Sequence, residues 1–295
     1  MLTHTNTTPV APKRVVVIGA GGFVGKAIVE RLKAASVEVV GLGRGDVDLL
    51  AADASAKIAS YLREGDSVVG VSAIAPCKNS DMLRDNIVLA TSMVRAFASV
   101  PLAHVVNISS DAVFGDEPLP LTETTPRAPE SYHGVMHLAR EIMFATEVKA
   151  PQATLRPTLI YGARDPHNGY GPNQFRRKAN TGEAIVLFGE GEERRDHVAV
   201  EDVAELAARV LMHRSTGSLN VATGVVTSFR DLADLAVRLS GKSVSVSGSP
   251  RKGPMPHNGY RPFDPSATFD AFPDFRYIAV ADGMARAQQT EFAHG

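Results

Sequence analysis

Three groups of residues in this chain have the types and spacings that chemistry requires. The first is Gly19-Ala20-Gly21-Gly22-Phe23-Val24-Gly25, a turn in which Gly19, Gly22 and Gly25 recur every third residue. The G-x-G-x-x-G spacing fails because Val24 holds its last position. Glycine permits positive φ and lets the backbone approach a pyrophosphate closely. A helix starting there offers free N–H groups and the positive end of its dipole to the anion. The second group is Arg195, Arg261 and the amide of Asn173. A nucleoside diphosphate carries two phosphate charges, and forked guanidinium groups match its oxygens in pairs. The third is His133 and His137, one helical turn apart. Two helical histidines hold a metal only with a third ligand and a general base. Asp111 is the candidate third ligand, and a metal site is not expected.

The strand that follows the glycine turn reports on the cofactor. An acidic residue at its end would bind the ribose hydroxyls of NAD. Here the strand ends Gly41-Leu42-Gly43-Arg44, with an arginine and no carboxylate. Arginine suits a 2′-phosphate, so NADP is expected over NAD, with NAD as the alternative. Asp48 and Leu49, four and five residues on, are placed to border the adenine ring.

The elements that must position these groups follow from periodicity. Arg14 to Gly19 is a β-branched run of the kind that forms a buried strand, and Val24, Ile28 and Leu32 then mark one helical stripe. Val37 to Leu42, Asp66 to Val71 and His104 to Ile108 are further strands. Met82, Ile87, Ala90, Met93 and Phe97 line a long helix between the last two. Alternating strands and helices mean βαβ units and a parallel sheet covered on both faces. Past Tyr161 the composition changes: residues 162–172 and 247–265 are rich in Gly and Pro, and two helices (203–212 and 229–239) lie between them. A smaller lobe is therefore expected over the carboxyl ends of the strands, where open α/β sheets bind ligands.

Composition narrows the function. The 295 residues carry 31 basic and 32 acidic side chains, so the general electrostatic case for nucleic acid or an anionic membrane is absent. The single cysteine, Cys77, can form no internal disulfide. Residues 1–13 are polar and lack a hydrophobic signal core, which predicts a flexible lead-in to a cytoplasmic protein.

Several separate segments, running from about Arg14 to about Phe275, resemble the extended short-chain dehydrogenase/reductases, the group of nucleotide-sugar epimerases, dehydratases and reductases. The glycine turn is one. Ile108-Ser109-Ser110-Asp111-Ala112-Val113-Phe114-Gly115 is similar to the segment carrying that family's catalytic Ser or Thr, with Ser110 at that position. Leu155-Arg156-Pro157-Thr158 through Gly162 resembles the segment that passes the nicotinamide. Leu187 to Gly191, Arg195-Asp196-His197-Val198 and Asp202-Val203-Ala204 resemble its nucleotide-sugar lobe, and Arg261-Pro262-Phe263-Asp264 its C-terminal arginine segment. The resemblance implies hydride transfer between a bound NADP or NAD and a nucleoside-diphosphate sugar, with Gly19, Gly22, Phe23, Val24, Gly25, Arg44, Asp48, Leu49 and Pro157 around the cofactor. It also places Asp111, Asn173, Arg195 and Arg261 around the sugar nucleotide.

One segment departs from the pattern. The family uses Tyr-x-x-x-Lys on a helix, the lysine lowering the tyrosine pKa so that phenolate exchanges a proton with a sugar oxygen. Here the segment reads Ser131-Tyr132-His133-Gly134-Val135-Met136-His137-Leu138-Ala139-Arg140-Glu141. Counting from Tyr132 places Met136 at the lysine. Matching Gly134, Leu138 and Glu141 instead places His133 at the tyrosine and His137 at the lysine, and three flanking matches outweigh one identity. The lysine is gone either way. Histidine titrates near neutrality without a tuning partner, so His133, or Tyr132 in the other alignment, is the expected proton carrier, while Ser110 orients the oxygen and His137 lies near the ribose. The competing expectation is a site that binds both ligands but has lost turnover. Asp111 matches the first acid of the family's dehydratases and Ala112 stands at the second, which disfavours elimination.

The expected fold is thus α/β, a Rossmann-like doubly wound parallel sheet over 14–161. A smaller C-terminal α/β substrate lobe covers 162–295, with segments returning to the sheet. The helix bearing Met82, Met93 and Phe97 and the one bearing Val135 and Leu138 suggest a homodimer through a four-helix bundle.

Overall fold

The computed structural model describes residues 1–292. Its main sheet contains β1 (Leu2–His4), β2 (Arg14–Ile18), β3 (Glu38–Leu42), β4 (Ser67–Gly70), β5 (His104–Ile108), β6 (Gln152–Pro157) and a late strand, β10 (Ser215–Val221). Across the sheet the order is β1-β10-β6-β5-β4-β2-β3, parallel throughout except for the antiparallel edge strand β1. The helices α1 (Phe23–Ala34), α2 (Ala54–Tyr61), α3 (Ser80–Ala98), α4 (Tyr132–Glu147) and α6 (Val200–Met212) cover it. Strand β2 shows why the sheet is doubly wound. Val15 and Val17 pack with Ile28, Leu32 and the α6 residues on one face, while Val16 and Ile18 pack with Ile58, Met93 and Phe97 on the other. Burial on both faces explains the unbroken β-branched run seen in the sequence.

The remaining strands build the smaller lobe. β9 (Arg194–Ala199) pairs with β7 (Leu159–Tyr161), β11 (Val226–Ser228) and β13 (Tyr260–Arg261), while β8 (Ile185–Phe188) pairs with β12 (Val246–Ser249). Helices α5 (Pro172–Thr181) and α7 (Phe229–Ser240) pack a separate core around Phe175, Phe229 and Leu232. The chain returns to the main sheet through β10, which lies beside β6 with Leu219 opposite Leu155.

Two expectations are corrected. The lead-in does not fray: Leu2–His4 caps the sheet edge, and His4 bonds the Ser215 hydroxyl at 2.7 Å and the Ala271 carbonyl at 2.9 Å. Polarity suggested a free tail, but an open strand edge offers backbone partners to any short extended segment. The apolar face proposed for a partner also differs, because Met93 and Phe97 lie in the core. The large aliphatic side chains left exposed on α3 and α4 are Val88, Val135 and Ile142.

Helix α4 is fixed to the sheet by the same residues that set its register in the sequence. Gly134 lies so close to the Ala112 carbonyl that a Cβ would collide with it, and would also stand 2.6 Å from Pro129 Cβ. Leu138 packs on the cluster of Val113, Phe114 and Leu121. Glu141 is buried and accepts from Ser109 Oγ at 2.6 Å, from Arg156 at 2.8 and 2.9 Å, and from Arg127 at 3.1 Å.

Candidate functional site

A cleft of about 980 Å³ opens at the carboxyl ends of the parallel strands and runs between the sheet and the smaller lobe. One end is the glycine turn. Gly19 takes φ of +97°, accessible to glycine at no steric cost, and a Cβ at Gly25 would stand 2.8 Å from the Gly19 carbonyl carbon. No side chain caps α1 and no acidic residue occupies its first turn. The Gly22 amide is held by the Gly19 carbonyl at 3.0 Å, which leaves the first-turn amides of Phe23, Val24 and Gly25, all on the cleft wall, without an internal anion. This cradle fits a dinucleotide pyrophosphate, which those amides would hold. Gly25→Val is expected to destabilise the protein by about 1–3 kcal/mol through overpacking and to abolish dinucleotide binding, read by chemical denaturation and fluorescence titration.

Arg44, Asp48 and Leu49 line the same end, with Leu42, Val47 and Leu50. Arg44 is exposed, Leu49 is buried, and Asp48 accepts from the Leu50 amide at 3.1 Å. Ser72, Ala73, Ile74 and Pro76, which were not expected from sequence, continue from β4 along the wall. Their position just past a strand's carboxyl end was the available signal. Pro157 lies at the end of β6, also on the wall.

Ser110, His133 and His137 meet mid-cleft. Ser110 caps a short 3-10 turn, its Oγ accepting from Ala112 N at 3.2 Å and donating to Asp111 Oδ1 at 3.2 Å. The His133 and His137 rings stand edge to face, 4.8 Å between centroids. Burial, opposed by the Asp111 charge, holds His133 below the ordinary histidine value of 6.5. Burial, with His133 and Arg140 adding to it, holds His137 well below that value. The Cys77 amide approaches His133 Nδ1 at 3.5 Å, the weak limit of hydrogen bonding, which leaves the ring free to exchange a proton. Tyr132 is corrected here: it begins α4, is 47% exposed, and takes no part in the cleft wall. A helix turns about 100° per residue, so adjacent positions cannot share a face, and the cleft receives the histidines instead. Among the described residues no three His, Cys, Asp or Glu side chains converge to hold a metal ion.

The far end is cationic and already internally paired. Arg195 and His197 alternate with Asp196 on β9, which sends both toward the cleft and Asp196 to the other side. Arg195 Nη2 donates to Glu193 at 2.5 Å, while its Nη1 is enclosed and unpartnered. His197 Nδ1 faces the Arg195 carbonyl at 3.2 Å, and burial, against that hydrogen bond, pushes the ring down to about 4. Arg261 touches Asp116 and donates to the carbonyls of Asp111 and Phe114 at 3.1 and 3.3 Å. His257 joins the group, 2.5 Å from Asp116. His197, His257 and Asp116 were not among the site residues expected from sequence, although each lies within five residues of one that was (Arg195, Arg261 and Asp111); what the spacing does not carry is that the loop with Asp116 meets the segment of His257 and Arg261. Asn173 lines the cleft. Its Oδ1 accepts from Gly162 N at 3.1 Å and one hydrogen of its Nδ2 goes to Asp165 at 2.9 Å, which ties the side chain to its own loop and leaves the second Nδ2 hydrogen uncommitted.

Residues 15–222 match the model of the NAD dependent epimerase/dehydratase family. The chain belongs to that family. Among related members, a UDP-glucose 4-epimerase of Mycolicibacterium smegmatis is 30% identical over 252 residues, 74% of this chain and 80% of that one. A dTDP-4-dehydro-6-deoxy-D-allose reductase of Streptomyces bikiniensis is 22% identical over 284 residues, 81% of this chain and 85% of that one. Two solved structures share the fold. The UDP-glucose 4-epimerase of Thermus thermophilus, in complex with NAD, has a TM-score of 0.78 at 23% identity, covering 94% of this chain and 98% of its own. A GDP-L-fucose synthetase of Naegleria fowleri bound to NADP has a TM-score of 0.84 at 16% identity, covering 97% and 96%. These relatives are named as nucleotide-sugar epimerases and reductases, and the two solved structures hold NAD and NADP.

Proposed function

We propose that the protein is an NADP(H)-dependent epimerase or reductase of a nucleoside-diphosphate sugar in which His133 carries the proton. The observation that supports this most is that one cleft gathers all three groups. The glycine turn past β2, Ser110 past β5 with the two histidines of α4, and Arg195 and Arg261 of the smaller lobe all line it. When bound, the dinucleotide supplies or accepts hydride at its nicotinamide. The exposed Arg44 supports NADP over NAD, as a guanidinium free to meet a 2′-phosphate. Ser110 orients the sugar oxygen through its hydroxyl, and His133 takes or returns the proton of that oxygen. Arg195 Nη1 is an enclosed donor awaiting an acceptor, which a phosphate oxygen supplies. Diphosphate binding at Arg261 requires its pairing with Asp116 to be exchanged for the ligand. Val88, Val135 and Ile142 support a homodimer through α3 and α4.

NADPH and a panel of nucleotide sugars test the reading by absorbance change and product analysis. Thermal stabilisation by both ligands with no conversion at any pH would instead establish a binding protein. That second reading is favoured by the loss of lysine from the helix. Arg195→Met is expected to raise KM for the nucleotide sugar about ten- to a hundredfold, the worth of a hydrogen bond to a charged group, with little change in kcat.

A further inference from the structure

Beside the cleft lies a second cavity of about 10 Å³ bordered by Ser72, Asn86, Met93, Met136, His137 and Arg140. That is room for a single water. His137 lines both spaces, as do Ser72 and Ala73. Its Nδ1 is enclosed and has no partner, whereas Nε2 is not enclosed. Arg140, the next turn of α4, has the complementary defect. Its Nη1 donates to the Ser72 carbonyl at 2.9 Å and its Nη2 to the Gly70 carbonyl, but its buried Nε–H has no acceptor. Two orphaned polar atoms beside a water-sized space would cost about 1–3 kcal/mol each if left dry.

We propose that one buried water bridges Arg140 Nε–H to His137 Nδ1 and thereby fixes His137 as the Nε2–H tautomer, a donor aimed into the cleft. A guanidinium can only donate, so the bridge has one polarity: Arg140 gives a hydrogen to the water, and the water gives one to the Nδ1 lone pair. The opposite tautomer would aim two donors at one water. Both of its hydrogens would then need acceptors, at Ser72 or at the one lone pair that Asn86 Oδ1 keeps after accepting from Ile74 N, whereas the bridging form needs only one more. Burial of the ring beside a guanidinium keeps it uncharged. Arg140 is therefore a positioning residue. The site offers an uncharged N–H to an acceptor oxygen at this point, with the positive charge set one turn deeper. That the oxygen belongs to a cofactor ribose rests on the reading above; the tautomer does not.

The test uses the ligand-free full chain at neutral pH. Long-range 15N–1H correlation of the histidine rings, with His137 assigned through His137→Gln, is expected to show the Nε2–H form dominant by about tenfold, the equivalent of one net hydrogen bond. Magnetisation transfer from water to Arg140 Nε–H is expected as well. Arg140→Lys keeps the charge and removes the Nε donor, so its tautomer ratio should fall toward unity. A dominant Nδ1–H form, a charged ring, or an unchanged ratio in a folded Arg140→Lys overturns the proposal. Should that variant not fold, absence of the water contact in the unaltered protein overturns it alone. A correct tautomer in a protein that binds neither NADP(H) nor NAD(H) would sink the cofactor reading and leave this one standing.

Discussion

His133→Gln lowers kcat for nucleotide-sugar conversion by about 10²- to 10⁴-fold, the range carried by a positioned acid–base group, while dissociation constants for both ligands stay nearly constant. Glutamine keeps polar reach and loses only the ability to titrate. Because His133 is partly buried on the cleft wall and makes a single weak bond, at 3.5 Å from Cys77 N, unfolding free energy changes little. Tyr132→Phe leaves kcat unchanged, since that side chain stands outside the cleft. The pH profile separates the two residues further. Burial holds His133 below the ordinary 6.5, so its base form predominates at neutral pH, and activity in the proton-abstracting direction falls as pH drops through that lowered value. A tyrosine proton carrier without a lysine would instead lose base form on descending from its ordinary value near 10, leaving about a thousandth of it at pH 7. Equal loss of turnover in both variants, or an acid limb above neutrality, removes His133 from the assigned role.

Glu141→Ala destabilises the fold by about 3–5 kcal/mol, measured by urea denaturation, because it strands the buried Arg156 guanidinium. The carboxylate ties three segments together: Ser109 at the end of β5, Arg156 on β6, and α4 itself. Burial alone would raise its pKa, but the hydrogen bonds and charge of Arg156, with Ser109 and Arg127, outweigh this and hold it below the usual 4.5. A carboxyl depressed in the folded state adds stability above its unfolded pKa and loses it as pH falls through the folded value. The gap between wild type and Glu141→Ala is therefore full at neutral pH and narrows below pH 4.5. A gap that stays constant into acid would show the pair to be electrostatically neutral.

These two residues explain why the helix register was readable at all. Gly134, Leu138 and Glu141 were matched as flanks, and each is structural: a close approach to Ala112, a contact in the Phe114 cluster, and the buried ion pair. Flanks that pin a helix to its sheet also decide which of its residues face the ligand, and that is how His133 and His137 reached the cleft in place of Tyr132. The arginines were only half legible. Their types pointed to a diphosphate, but nothing in the spacing announced that Arg261 is held by Asp116 and Asp111, or Arg195 by Glu193.

The amino-acid sequence by itself determined the glycine turn, the strands buried on both faces, the helix carrying the two histidines, and the fold these imply. Each of those is encoded within a few residues, by φ freedom or by a repeat of two or about four. Only the tertiary structure decided that Leu2–His4 closes the sheet edge, that Asn173 is tied to its own loop, and that Met93 and Phe97 are core. It alone set His137 between a ligand cleft and a water-sized cavity beside Arg140. Such facts depend on which distant segments come into contact, and a local pattern carries no information about the atoms that will stand opposite it.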